Sequence, residues 1–388
     1  MHIDALVSAF SAILRRSALS LSGLATAVTL AAPVHAAAPD IIQISTGDFH
    51  TCALDADGGV WCWGMNLSGQ LGDGTTTSRE TPIQVQGLGV VTQIAAGADH
   101  TCALTESRRV RCWGGNYSGQ LGDGTTTDRL SPVQVLDLRR VRAISAGSAH
   151  TCAIGRGGRA WCWGYNYWGQ LGNGTTESRT LRTEVTGVSG LQTISAGDSH
   201  TCATSRNGRS LCWGRNTNGI LGIGSTTDSL VPVEIPRPRF SAISAGQTLT
   251  CGITPNNRPF CWGYNRWGQL GDGTQTSRYS PVSVEGLNRA ADISTGFAHA
   301  CAVTPNERAY CWGYNSAGQL GDGTLTDRSS PVQVFGSRLR FTQIAAGREF
   351  TCALSRSASV YCWGENDYGQ MGNGTTVDQL IPGRVRFP

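Results

Sequence analysis

Apolar and polar residues alternate with a period of two along most of the chain, in short runs separated by turn-forming clusters. His50, Cys52 and Leu54 fall on one side of such a run, with Thr51 and Ala53 on the other. Val60 and Cys62 alternate in the same way with Trp61 and Trp63. This spacing predicts strands, not helices. Between the two runs lies Asp55-Ala56-Asp57-Gly58-Gly59, a turn composition, so the pair reads as a β-hairpin. A run such as Val91–Ile94 precedes each hairpin and one such as Pro82–Val85 follows it. Four short strands therefore make one unit, and nothing after about residue 40 has helical periodicity over a helix's length.

The unit recurs seven times. The cysteines mark its register: Cys52 and Cys62, Cys102 and Cys112, Cys152 and Cys162, Cys202 and Cys212, Cys251 and Cys261, Cys301 and Cys311, Cys352 and Cys362 account for all 14, each pair ten apart. The repeats run over about 41–90, 91–140, 141–190, 191–239, 240–289, 290–339 and 340–388. Self-similarity at this period belongs to stacked or closed arrays of one small unit. Four strands per unit and seven units predict an all-β, seven-bladed propeller, in which radial repetition leaves only short protected edges. Five glycine positions per unit (Gly47, Gly64, Gly69, Gly72 and Gly74 in the first) take 35 of the 51 glycines, as special backbone angles and close packing demand.

The run Gly97-Ala98-Asp99-His100-Thr101-Cys102-Ala103-Leu104, then Cys112-Trp113-Gly114 and Asn116-Tyr117-Ser118-Gly119-Gln120-Leu121-Gly122, resembles the regulator of chromosome condensation repeat. The resemblance covers residues 41 to 388 and implies a seven-bladed propeller. No Trp-Asp dipeptide closes these strands, which sets the chain apart from the Trp-Asp repeat of similar period. With its paired cysteines and apolar leader, the chain is similar to secreted bacterial members of the family.

Residues 1–36 stand outside the repeat. Arg15-Arg16, an apolar stretch from Ala18 to Ala32, and Val34-His35-Ala36 have the layout of a secretory signal peptide. The expectation is a secreted or periplasmic protein whose mature chain has no membrane span. In an oxidising compartment an even set of cysteines at fixed spacing is a disulfide framework. The two cysteines of a unit lie on facing strands equidistant from the turn, so the expectation is one cross-strand disulfide per hairpin. Zinc is the alternative, though its usual spacing is C-x₂₋₄-C, not C-x₉-C.

Charge removes further classes. The 31 basic residues are all arginine, against 27 acidic ones. Without lysine, Gly-Gln-Leu-Gly-Asp-Gly-Thr cannot serve as a phosphate-binding loop, and lysine Schiff-base chemistry is excluded. Acidic residues are interspersed among the arginines along the chain, so no uniform basic face and no nucleic-acid partner is expected. No cofactor or metal is expected either. His50, His100, His150, His200 and His299 share one repeat position, filled by Leu249 and Phe350 in units five and seven; they suggest either a metal ring or histidines bonded to backbone within or between blades. Arg79, Arg129, Arg179, Arg278 and Arg328 also share a position, with an aspartate such as Asp73, Asp123, Asp272 or Asp322 nearby. They read either as an anion-binding ring or as forks tying a turn. Asp55-Ala56-Asp57-Gly58 lacks the remaining ligands of a calcium loop and reads as a turn.

No nucleophile–base or paired-carboxylate constellation stands out, and a non-enzymatic protein is expected. The informative variation follows each Trp-Gly, where x-Asn-x-x-Gly holds Met65 and Leu67; Tyr117; Tyr165, Tyr167 and Trp168; Arg215; Tyr264, Arg266 and Trp267; Tyr314; and Tyr368. If the units are equivalent, these loops emerge on one side of the disc and carry the residue types of binding hot spots. The reading is a monomeric binding protein that recognises a protein partner. The alternatives are a glycan-binding propeller or, as the resemblance implies, a secreted enzyme inhibitor like propeller-type β-lactamase inhibitors. Packing of the same aromatics between blades is the structural alternative.

Overall fold

The computed structural model describes residues 38–388 except Ser337; the expected signal peptide lies outside the described residues. Seven four-stranded antiparallel sheets follow one another around an axis, each built from four consecutive strands. In the first blade these are β1 (Ile41–Thr46), β2 (His50–Asp55), β3 (Val60–Gly64) and β4 (Arg79–Gln84). The only helical segments among the described residues are two three-residue 3-10 turns, Arg156–Gly158 and Thr217–Gly219.

The cysteines of each unit sit directly opposite one another on the second and third strands, as in Cys52↔Cys62. The expected pairing holds in every blade: Cys52 with Cys62, Cys102 with Cys112, Cys152 with Cys162, and Cys202 with Cys212. Cys251 with Cys261, Cys301 with Cys311, and Cys352 with Cys362 complete the set. All seven pairs are at disulfide distance, with Cα–Cα separations of 4.0–4.1 Å, and no cysteine is free to act as a zinc ligand. Every one of these side chains is fully buried, so the cysteines staple the hairpins and take no part in a surface site. Asp55 closes the first hairpin as a turn residue: its carboxylate accepts from the Asp57 and Gly59 amides and from the Trp61 indole.

The core lies between blades. Each fully buried tryptophan of the third strand packs against the preceding blade, and all but Trp312 donate Nε1–H to that blade's loop, as Trp113 does to the Gln70 carbonyl at 2.9 Å. Gly72 makes room for this ring, since a Cβ there would lie 2.7 Å from Trp113 Nε1. The inner strand of each blade is a sheet edge, with backbone groups that need partners. Gln43 supplies them for the next inner strand by donating to Ile94 O and accepting from Ile94 N, both at 3.0 Å.

Blade seven closes onto blade one with no exchanged strand. Trp63 Nε1 donates to Gln370 O at 2.8 Å, and Gln343 brackets Ile44. Phe387 packs edge-on against Trp61 and Trp63, and Val385, Ile41 and Ile44 share one apolar cluster. The two ends of the repeat array thus meet through side chains.

The five histidine rings bond a threonine hydroxyl of the next blade and not backbone groups, and among the described residues they do not converge into a group that could hold a metal ion. His100 Nε2 lies 2.9 Å from Thr151 Oγ1 of the next blade, and the Thr151 hydroxyl donates to Gln120 O at 2.8 Å. The hydroxyl proton being committed, the imidazole must donate from Nε2, which leaves Nδ1 bare. Burial pushes the pKa of all five rings down to about 3. Where histidine is replaced by Leu249, the facing threonine is replaced too, by Ala300, so no buried hydroxyl loses its partner. At the last junction Phe350 faces Thr51, whose hydroxyl sits 3.7 Å from Cys352 Sγ.

Candidate functional site

The β1–β2 turns and the β3–β4 loops emerge at the same end of the disc. The first residue after β3 donates its amide to the β1–β2 turn in every blade, as Met65 N does to Phe49 O at 2.9 Å and Tyr264 N to Thr248 O at 3.0 Å. The loops are held rigidly. Asn66, fully buried, accepts from Leu71 N and donates to the Thr75 and Thr77 carbonyls, and Gln70 Oε1 accepts from Ser68 N. The equivalent Asn166, Asn265, Asn315 and Asn366 do the same in their blades. What the loops display is therefore preorganised.

The repeated arginines serve these loops. Arg79, Arg129, Arg278 and Arg328 pair with Asp73, Asp123, Asp272 and Asp322 at 2.7–2.8 Å. Arg179, whose loop has Asn173 at the aspartate position, pairs with Glu177 at 2.9 Å. Partial burial opposes ionisation of Asp73, but hydrogen bonds from Thr75 and Arg79 outweigh it and hold the carboxyl below its usual range. These arginines are turn ties and do not form an anion-binding ring.

The displayed side chains fall into two groups. In blades three and four, Tyr165 and Tyr167 lie nearly parallel at 6.5 Å, Tyr167 meets Trp168 edge-on at 4.9 Å, and the Arg215 guanidinium lies 4.8 Å above the Trp168 ring. In blades five to one a continuous belt forms. Trp267 contacts Tyr264, Phe297 and Tyr314 at 5.5, 6.3 and 5.3 Å. The Arg348 guanidinium bridges Phe297 and Phe49, 5.3 and 5.5 Å from their centroids, and Phe49 meets Tyr368 at 5.5 Å. Tyr117 and Tyr167 point outward, 62% and 61% exposed, as does Leu67. Arg266 is exposed, and Met65 is half-buried.

Phe49, Phe297 and Arg348 escaped the sequence reading, which looked only after each Trp-Gly. They occupy the free positions of G-x-x-H, one turn nearer the axis, and their variation from unit to unit was the available signal. The same turns close the axial mouth. Gln247 reaches across to donate to Asp48 Oδ1 at 2.8 Å, and Arg348 approaches Asp48 Oδ2 at 3.9 Å. Burial, partly offset by Arg348 and reinforced by Asp198, raises Asp48 to about 6. Burial likewise raises Asp99 to about 6, and burial with Glu349 and Asp367 raises Glu365 to about 7. The aromatic end is thus an acidic one.

Residues 21–301 match the RCC1-like domain, and residues 306–354 and 357–388 match the regulator of chromosome condensation (RCC1) repeat. The chain belongs to the RCC1-like domain family. It is similar in fold to human WBSCR16, with a TM-score of 0.77 and 20% identity, covering 85% of this chain and 94% of that one. Prp20p of Saccharomyces cerevisiae, whose structure was described with its binding to Gsp1p and histones, gives a TM-score of 0.76 at 20% identity, covering 86% and 87%. The Ultraviolet-B receptor UVR8 of Arabidopsis thaliana is 45% identical over 47 residues, 12% of this chain and 11% of that protein. The curated relatives it matches first are covered over only 5–11% of their length.

No described helix is long and apolar enough to cross a membrane, and among the described residues no cluster of three or more His, Cys, Asp or Glu could hold a metal ion.

Proposed function

We propose that this chain is an exported, non-enzymatic binding protein that recognises a protein partner through its aromatic end. The observation that carries this is the belt from Trp267 through Arg348 to Tyr368, set on rigid loops beside the outward-facing Tyr117 and Tyr167. Large aromatic side chains on preorganised loops supply contact area at small conformational cost, and Trp, Tyr and Arg dominate binding hot spots. The carboxylates Asp48, Asp99, Asp198, Glu349, Glu365 and Asp367 at the same end favour a partner segment rich in Arg or Lys. Protein binding by Prp20p, a propeller of the same fold, is consistent with this use of the scaffold.

The test is capture from the native exported proteome with the wild-type chain and with the triple variant Tyr117→Ala, Tyr167→Ala, Trp267→Ala. A partner retained by the first and lost by the second supports the reading. A partner list unchanged by the substitutions overturns it. A glycan array run in parallel separates the lectin alternative: sugar binding abolished by Trp168→Ala and Trp267→Ala would replace protein recognition with carbohydrate recognition.

A further inference from the structure

The opposite end of the disc has the opposite charge. It is formed by the β2–β3 turns and the connections from each outer strand to the next inner strand, which bond to one another, as Val141 N does to Arg108 O at 3.2 Å and Phe341 N to Glu307 O at 2.9 Å. These segments hold 17 arginines and five carboxylates. The β1–β2 turns and β3–β4 loops hold three arginines and 15 carboxylates. The interspersion of charge along the chain, from which no uniform basic face was expected, therefore conceals a segregation of charge in space.

Within the arginine end, one place is concentrated. Arg108, Arg140, Arg142 and Arg156 line an open cleft of about 340 Å³ between blades two and three, with Gly157 as the remaining wall and no carboxylate. Among the described residues none of the four guanidiniums is in an ion pair; Arg142 donates to Leu191 O at 3.3 Å. Other arginines at this end are neutralised, as Arg209 is by Glu234 at 2.9 Å and Arg356 by Glu307 at 3.3 Å. Two of the cleft arginines also hold unfavourable backbone conformations. Arg108 and Arg140 have φ of 59° and 58°, and the position of Arg108 is glycine in blades one, three and four (Gly58, Gly158 and Gly208) and Asn257, Glu307 and Ala358, also at positive φ, in the others. An L-residue there carries a conformational cost that glycine avoids.

We propose that this cleft binds an oligophosphate group, meaning two or more adjoining phosphoryl units. The four guanidiniums are exposed, and gathered on one open cleft without an ion-pair partner they offer a site for a ligand of matching charge density. The planar Arg fork takes tetrahedral phosphate oxygens in pairs. The surrounding arginines raise the local anion concentration and steer its approach.

The probe is tripolyphosphate, titrated by calorimetry into the full chain. One equivalent binds, and the double variant Arg108→Gln, Arg140→Gln weakens binding about tenfold or more, as loss of charge-assisted bonds at two arginines requires. The control pair Arg206→Gln, Arg289→Gln, with the same charge change at the same end, alters affinity less than about twofold. The pair Arg108→Gly, Arg140→Gly separates folding from binding: glycine suits both backbone positions, so its melting temperature is kept or raised while tripolyphosphate binding is lost. Vesicles of phosphatidylcholine with a tenth of cardiolipin distinguish the source. Binding to them that is lost in the glycine pair assigns the phosphates to a lipid headgroup; tripolyphosphate binding without vesicle binding assigns them to a soluble ligand. Absence of wild-type binding to tripolyphosphate, equal weakening by the control pair, or full affinity in the glycine pair would overturn the proposal.

Discussion

Acid should unfold this propeller through its interior. Five imidazoles are buried neutral between blades, with pKa values depressed to about 3. In the unfolded chain each titrates near its ordinary value of about 6.5. Above that pH neither state is protonated, and the histidines contribute their full stability. As pH falls from about 6.5 towards 3, the unfolded chain takes up protons that the folded one refuses, and stability is lost at about 1.4 kcal/mol per pH unit per histidine. Asp48 and Asp99 act the other way. Their pKa values of about 6 let the folded protein bind protons earlier than the unfolded chain, so they favour folding between about pH 6 and 4. Glu365 adds in that direction, reduced by solvent screening because it is half-exposed, and so do Asp292 and Glu349, whose carboxyls burial also raises. The histidines win. Five imidazole protons against those of the raised carboxylates leave a net loss of about 2 kcal/mol per pH unit near pH 5, and the slope does not steepen below about pH 4, because the folded imidazoles, with pKa about 3, begin to take up protons themselves. Below that pH Asp73, Asp123, Asp272 and Asp322, held low by their hydrogen bonds, add to the loss. The assay is urea unfolding with the disulfides intact, followed by tryptophan fluorescence from about pH 7 to 4.5. A midpoint that does not move over this range, or an imidazole titrating near pH 6 in the folded protein by NMR, would refute the reasoning.

Removing one staple, as in Cys102→Ala with Cys112→Ala, should cost about 2–3 kcal/mol for a closed loop of about ten residues, read as a lowered unfolding midpoint against wild type. Gly97→Ala should cost more than about 2 kcal/mol, because its Cβ would stand 2.4 Å from both Gly147 O and His100 Cε1; Gly87→Ala, with nothing within 4 Å but φ of +78°, should cost about 1 kcal/mol. In a double-mutant cycle, His150→Leu and Thr201→Ala should couple by about 1–2 kcal/mol, with the double variant milder than the summed singles; additive losses would deny the His150–Thr201 bond its role.

The blade count, strand count and cysteine register were all legible because each is a periodic property of the chain. Cys52 opposite Cys62 follows from a hairpin whose centre is known, and alternation assigns both side chains to one face. The same argument carried Cys162, Cys212, Cys261, Cys311 and Cys362 to their partners, since each hairpin repeats the first one's length. Three things were not legible, for one physical reason: a four-stranded unit visits each end of the disc twice, and a linear reading mixes what space separates. Arg108 and Arg129 are neighbours in the text, yet one lies in a β2–β3 turn at the arginine end and the other ties a β3–β4 loop. The belt needed Phe49, Phe297 and Arg348, which stand far in sequence from the loops they join. The partner of the histidine ring was missed because Thr101, Thr151 and Thr201 follow the next histidine in the chain and meet the previous one in space. In each case the repeat supplied the position but not which neighbour would face it.

Hydroxyl-radical footprinting of the captured complex bears most directly on the contact surface. Protection of Tyr117, Tyr167, Trp267 and Tyr368, with the Arg108–Arg156 end left open, is the result this architecture requires. Unchanged oxidation at those four side chains, with protection at the rim or the arginine end, would contradict it.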